Sequence, residues 1–244
     1  MISIHVKDVS FSYEQGTEIL KHLSFDVCKR ESVGLIGANG AGKSTLLKLL
    51  VGLNPVDSGT IQIGEYSMKK QYLPQIRAKL GYVFQDSDSQ LFMSTVYEDI
   101  AFAPRNYGLS PEEIDQRVDQ ALALTGIGHL RDRQIHRLSG GEKKLVSIAT
   151  ILSMMPEALL MDEPSIALDP RNRRNLIHIL NTLDLPKIIA SHDLDMILET
   201  CSRTILLSDG EIVCDGPTEE ILRNRELLET NGLELPLCMQ ASGR

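Results

Sequence analysis

The chain has 244 residues, 42% of them hydrophobic and 24% charged, with a formal net charge of -8. That balance suits a folded chain long enough to bury a sizeable core, and it argues against non-specific nucleic-acid binding through a basic surface. No apolar run approaches the roughly 18 residues that span a bilayer, and no CxxC, HxxxH or His/Cys cluster offers a transition-metal site. Cys28, Cys201, Cys214 and Cys238 lie far apart, and the opening MISIHVKDVSF has no secretory-signal pattern. Reduced thiols in a cytosolic chain are the simplest expectation.

In chain order, Ile2, Ile4 and Val6 alternate with polar residues as in a half-buried strand, and Leu23, Phe25 and Val27 repeat the pattern. SVGLIG suits a buried strand, STLLKLLVGL reads as the helix after it, and GTIQIG is another alternating strand. KLGYVFQ predicts a strand ending at Gln85. Beyond it the pattern turns helical. Ser110 as N-cap, Pro111 at the first helical position and Glu113 completing a capping box predict one helix there, closed by Gly126 or Gly128. EALLMDEP predicts a buried strand, RNRRNLIHILNTL an amphipathic helix and KIIASHD a further strand. Asp209-Gly210 predicts a hairpin joining two strands, Thr218 a helix start, and the tail from Asn231 an irregular segment. The expected organisation is one domain over 1–230. Its α/β core covers about 1–85 and 156–215, an inserted helical subdomain covers about 86–155, and a tail over 231–244 follows.

Gly37, Ala38, Asn39, Gly40, Ala41, Gly42, Lys43 and Ser44 fit the phosphate-loop pattern G-x-x-x-x-G-K-[ST], between a buried strand and a helix and followed by Thr45. The glycines let backbone N–H groups turn inward around phosphate oxygens, and Lys43 adds positive charge. The Ser44 hydroxyl can ligate Mg²⁺, and the helix N-terminus adds its dipole. Asp162 and Glu163 end a strand, where Asp162 would hold the Mg²⁺ shell and Glu163 could orient or deprotonate a water. RLSGGEKK, residues 137–144, has a second anion-binding character, although Ser139 and Glu142 have the spacing of an ordinary capping box.

GANGAGKST, VFQ, LSGGEKK, LLMDEP, SIALDP and ASHD occur in that order, and together they resemble the ATP-binding domain of ABC transporters from about residue 2 to about residue 220. The resemblance implies a P-loop NTPase core of ABC ATPase type, with an antiparallel β subdomain and an inserted α-helical subdomain. It implies that Tyr13 stacks on adenine, that Gln85 contacts Mg²⁺ or the attacking water, and that Glu163 is the catalytic base. It further implies that His192 contacts the γ-phosphate, that Asp169 lines a dimer seam, and that Ser139, Gly140 and Gly141 face the γ-phosphate held by a second subunit. ATP and Mg²⁺ are the implied cofactors, with a homodimer or a heterodimer with a related ATPase as the assembly. Leu145 stands where the family commonly has Arg, removing a salt bridge, and Ser165 replaces a frequent Thr.

VFQDSDSQLFMSTVYEDIAFAP, LSGGEKK, the stretch from SHDLDM to EEIL and the tail NGLELPL resemble energy-coupling-factor (ECF) transporter ATPases, including the cobalt/nickel uptake type. That likeness implies a transmembrane coupling subunit docked on the Gln85–Phe92 region and the helical subdomain, and a substrate-binding membrane subunit. It also implies peripheral attachment to the cytoplasmic face of the membrane. A vitamin-type ECF importer is the second expectation, and a soluble ABC ATPase without a transport role the third.

Overall fold

In the computed structural model, residues 2–13 and 16–240 are described. The chain runs β1 (Ile4–Ser12), β2 (Glu18–Val27), β3 (Ser32–Ile36), α1 (Lys43–Leu50), β4 (Ser58–Ile63), β5 (Tyr66–Ser67), α2 (Leu73–Lys79) and β6 (Leu80–Val83). Then come α3 (Val96–Asn106), α4 (Pro111–Thr125), α5 (Gly140–Leu152), β7 (Ala158–Asp162), α6 (Pro170–Thr182), β8 (Lys187–Ala190) and α7 (Leu194–Thr200). β9 (Arg203–Ser208), β10 (Glu211–Pro217), α8 (Thr218–Arg223), α9 (Arg225–Thr230) and α10 (Leu237–Gln240) complete it.

The strands form two sheets, ordered β2-β1-β4-β5 and β10-β9-β3-β8-β7-β6. The first is antiparallel throughout, and in the second only the edge strand β10 runs against the others. The parallel strands are apolar on both faces because both are covered. Successive residues go to opposite cores: Leu35 and Leu160 pack with α1 and the antiparallel sheet, while Ile36 and Met161 pack with the helical side. The sheets meet where the Lys21 backbone N–H donates to the Gly210 carbonyl at 2.8 Å, at the Asp209-Gly210 turn. In α1, Leu46, Leu47, Leu49 and Leu50 are all wholly buried. At about 1.5–3 kcal/mol per buried leucine, this anchors the helix that carries Lys43 at its start.

Between β6 and β7 stand three helices, each opened by the same device. Thr95 and Glu98, Ser110 and Glu113, and Ser139 and Glu142 form reciprocal capping boxes. Gly126 closes α4 in the left-handed conformation that the sequence foretells. Two expectations are corrected. The strand expected to reach Gln85 stops at Val83, because the Phe84 N–H turns away to the Gln90 side chain. The tail is not wholly irregular: the Asp195 carboxylate accepts from the Leu237 and Cys238 backbone N–H groups at 2.9 and 3.0 Å and fixes the start of α10. Leu145, only 3% exposed, sits in the helical core, and the buried cation of this turn is its neighbour Lys144.

Candidate active site

The crossover from β3 to α1 forms one wall of a cleft of about 240 Å³. Asn39 to Thr45 line it on that side, with Gln85, Glu163 and His192 opposite. The loop is tightly specified. Gly37 has φ 151°, and a Cβ there would stand 2.2 Å from the Leu207 carbonyl oxygen on β9. Gly42 has φ 103°, and its Cβ would lie 2.5 Å from Leu20. A side chain at Gly37 would have to move β9, and one at Gly42 would displace the Leu20 side chain and strain a left-handed backbone.

Lys43 is 6% exposed, and its Nζ donates to the Gly37 and Ala38 carbonyls at 2.7 and 3.2 Å. Burial pushes its pKa below the ordinary lysine value, while Glu163 and Asp162 work in the opposite direction. The ammonium thus rests on the loop's own carbonyls, 3.4 Å from His192 Nε2.

Asp162 ends β7, and Glu163 follows with φ 47°, a left-handed conformation that costs a non-glycine residue roughly 1–2 kcal/mol. Its backbone N–H still extends the ladder to Ala190 at 2.8 Å, so the twist turns the carboxylate toward the cleft while keeping the sheet intact. Glu163 Oε2 accepts from Ser191 Oγ at 3.2 Å and from the His192 backbone N–H at 3.1 Å. Oε1 lies 3.3 Å from His192 Nε2 but accepts no hydrogen bond, and Asp162 Oδ1 is likewise buried and unsatisfied. Burial raises the pKa of Tyr82, as does the neighbouring Asp162. Two orphaned carboxylate oxygens in succession leave a strong local demand for a cation or a donor. Ser44, Gln85 and Asp162 offer oxygen donors only, a set that suits Mg²⁺.

Tyr13 is 56% exposed, packed edge-on against Phe11, with its hydroxyl 3.2 Å from Thr45 Oγ1. This puts an open aromatic face beside the loop. The remaining predicted residues do not join the cleft. Ser139 is exposed at the start of α5, with its Oγ donating to Glu142 at 2.8 Å. Gly140 borders a separate recess of about 410 Å³ with Gln85 and Ala167, and a Cβ on Gly141 would come within 3.1 Å of the Ala167 carbonyl. Asp169 is exposed and caps α6 by accepting the Asn172 N–H at 2.8 Å.

Sequence reasoning missed Ser191, Gln90 and Lys144. Ser191 is fully buried behind Glu163 and also accepts the Asp193 N–H at 3.1 Å. Its place in SHD, directly before the histidine, was the available signal. Gln90 and Lys144 bind backbone carbonyls far away in sequence, and nothing local marks them.

The family model described as "ABC transporter" matches residues 20–166. An ABC transporter ATP-binding protein of Geobacter sulfurreducens is 48% identical over 237 residues, covering 97% of this chain and 95% of its own. The energy-coupling factor transporter ATP-binding protein EcfA of Carboxydothermus hydrogenoformans is 40% identical over 242 residues, covering 98% of this chain and 89% of its own. Among solved structures, cbiO1 of Clostridium perfringens, part of the ABC transporter complex cbiONQ, superposes with a TM-score of 0.83 at 34% identity over 93% of both chains. The ATP-binding cassette MJ0796, in a dimeric post-hydrolysis state bound to ADP and Pi, superposes with a TM-score of 0.82 at 26% identity, over 88% of this chain and 98% of that one. The motifs, the fold and these likenesses agree: the chain belongs to the ABC transporter ATP-binding family, whose cassettes hydrolyse ATP to drive transport.

Proposed function

We propose that this chain is the ATP-hydrolysing subunit of an ECF-type importer, working as a pair of cassettes that close around two ATP molecules. The observation that carries the reading is the separation within one chain: the cleft holds Lys43, Glu163 and His192, while Ser139 and Gly141 stand outside it. A second copy, or a related ATPase, supplies the missing half by presenting its Ser139–Gly141 helix start to the γ-phosphate. Tyr13 stacks on the adenine, and the phosphate loop with Lys43 holds the phosphates. Ser44, Gln85 and Asp162 would hold Mg²⁺, which when bound supplies positive charge against the β- and γ-phosphate oxygens. Glu163 takes the proton of the attacking water at its free Oε1, Ser191 and the His192 N–H fix its other oxygen, and the His192 ring meets the γ-phosphate. Asp169 lies along the seam between the cassettes.

The likeness to EcfA and to cbiO1 supports the ECF branch. We assign the cargo to cobalt or nickel ions on whole-sequence resemblance, with a vitamin as the alternative cargo. A transmembrane coupling subunit docks beside Phe92, a substrate-binding membrane subunit completes the complex, and the chain sits peripherally on the cytoplasmic face of the membrane. Among the described residues no helix is long and apolar enough to cross a membrane.

Two variants test the assembly. Glu163→Gln should lower hydrolysis on the order of 100-fold or more, keep ATP binding, and trap an ATP-dependent dimer on size exclusion. Adding Ser139→Arg should return that dimer to monomer with ATP binding kept. Normal hydrolysis in the first variant would refute the base, and a persistent dimer in the second would refute the shared site.

A further inference from the structure

Among the described residues, Lys144 is the largest side chain with almost no exposure, 2%, and it belongs to none of the roles above. It stands on the second turn of α5, and its Nζ donates to the Phe84 and Gln85 carbonyls at 3.0 and 2.7 Å. Those carbonyls belong to the loop that carries Gln85 into the cleft. Burial pushes the pKa of Lys144 down, and Asp162, Asp86 and Glu163 counter this. Two neighbouring ties run the same way. Lys143 Nζ binds Asp88 at 2.6 Å, and Gln90 Nε2 donates to the Ser147 carbonyl and Thr150 Oγ1 at 2.7 and 2.8 Å. Gln90 also accepts the Phe84 N–H at 3.1 Å, closing the loop on itself. The loop is therefore fastened to α5 at its start, middle and end, while among the described residues it makes no such tie to the phosphate loop.

We propose that Lys144 is a positioning residue for hydrolysis: it sets Gln85 in the cleft and makes that residue travel with the Ser139 helix as one body. The geometry explains why a cation is kept in an almost dry place. A lysine reaches two adjacent carbonyls with one head group, and each of those oxygens would lose its donor without it. Any displacement of α5, whether from a second cassette at Ser139 or from a partner at Phe92, is handed on to Gln85 without a flexible step between.

The inference rests on reading Gln85 as a contact of the nucleotide site, and a double-mutant cycle separates the two. Lys144→Met keeps the volume of the side chain and removes the donor. It should lower kcat between about 10- and 100-fold, with KM for ATP within about twofold of the unmodified chain. Hydrogen exchange should quicken across residues 84–90, while residues 145–152 stay protected. Gln85→Ala should lower kcat comparably, and the double variant should be no slower than Gln85→Ala alone. If the two losses multiply, or if Lys144→Met turns over normally while Gln85→Ala does not, Lys144 does not act through Gln85 and the proposal falls. A normal kcat in Gln85→Ala overturns both the proposal and the reading beneath it. Should Lys144→Met fail to fold, Lys144→Gln, which keeps a donor for one carbonyl, enters the same cycle with the same criteria.

Discussion

Asp193, immediately after His192, shows how single side chains hold the loop that carries this histidine. One carboxylate serves two helices: it binds the Arg173 guanidinium in a fork at 2.5 and 2.7 Å, and it caps α7 through the Met196 N–H at 2.9 Å. Burial alone would raise its pKa. The Arg173 fork and the backbone donor outweigh burial and hold it below the ordinary value of 3.8. Below that value the unfolded chain has taken up a proton that the folded chain still refuses. The stability from this group is therefore present above pH 3.8 and is lost as pH falls through the lower, folded pKa. Asp193→Asn preserves the cap and removes the charge pair. It should cost about 1.5–3 kcal/mol at neutral pH by urea unfolding, and the gap to the unmodified chain should close as the solution is acidified. A gap that stays constant down to low pH would contradict this.

The same capping box on α4 and α5 lets structure and chemistry be separated at the level of the helix. Ser110 and Ser139 make matching hydrogen bonds to Glu113 and Glu142, and both are exposed. Ser110→Ala and Ser139→Ala should each destabilise the fold by about 1 kcal/mol. Only Ser139→Ala should also slow hydrolysis, and equal activities would reduce Ser139 to a helix cap. These boxes, the phosphate loop and the paired acids were readable because each is contiguous in the chain. Residues 37–45 specify the cradle alone, and Ser110, Pro111, Glu113 and Gly126 mark both ends of one helix. Thr95 and Glu98 carry the same signal, masked by the apolar residues around them. The ties that set the site cross long sequence gaps. Lys144 reaches Gln85, and Ser191 reaches Glu163, only because parallel strands bring distant loops side by side. Helix α2 and the short α10 fall in stretches with no clear period, and α10 owes its start to the remote Asp195.

At the scale of the whole molecule, the helical insert exposes an aromatic pair to solvent. Asp99, itself 3% exposed, accepts the Phe92 and Met93 N–H groups at 3.2 Å each and holds that bend outward. Phe92 is 64% exposed, with its ring edge-on to Phe102 at 4.8 Å. An aromatic pair exposed to water suits an interface. Phe92→Asp should melt with the unmodified chain and lose stimulation of hydrolysis by the proposed membrane partner in reconstituted vesicles; retained stimulation would place the docking surface elsewhere. The sheet order has a different consequence, for biosynthesis. β3 delivers the chain into the phosphate loop, yet its neighbours β8 and β9 come from residues 187–190 and 203–208. A ribosome has therefore made the entire phosphate-binding sequence long before either flank of β3 exists. Nucleotide cannot template folding early; it can stabilise only a chain that already includes β8 and β9. Nascent chains halted within the helical insert should gain no protease resistance from ATP, and that protection should first appear once residue 208 has left the exit tunnel.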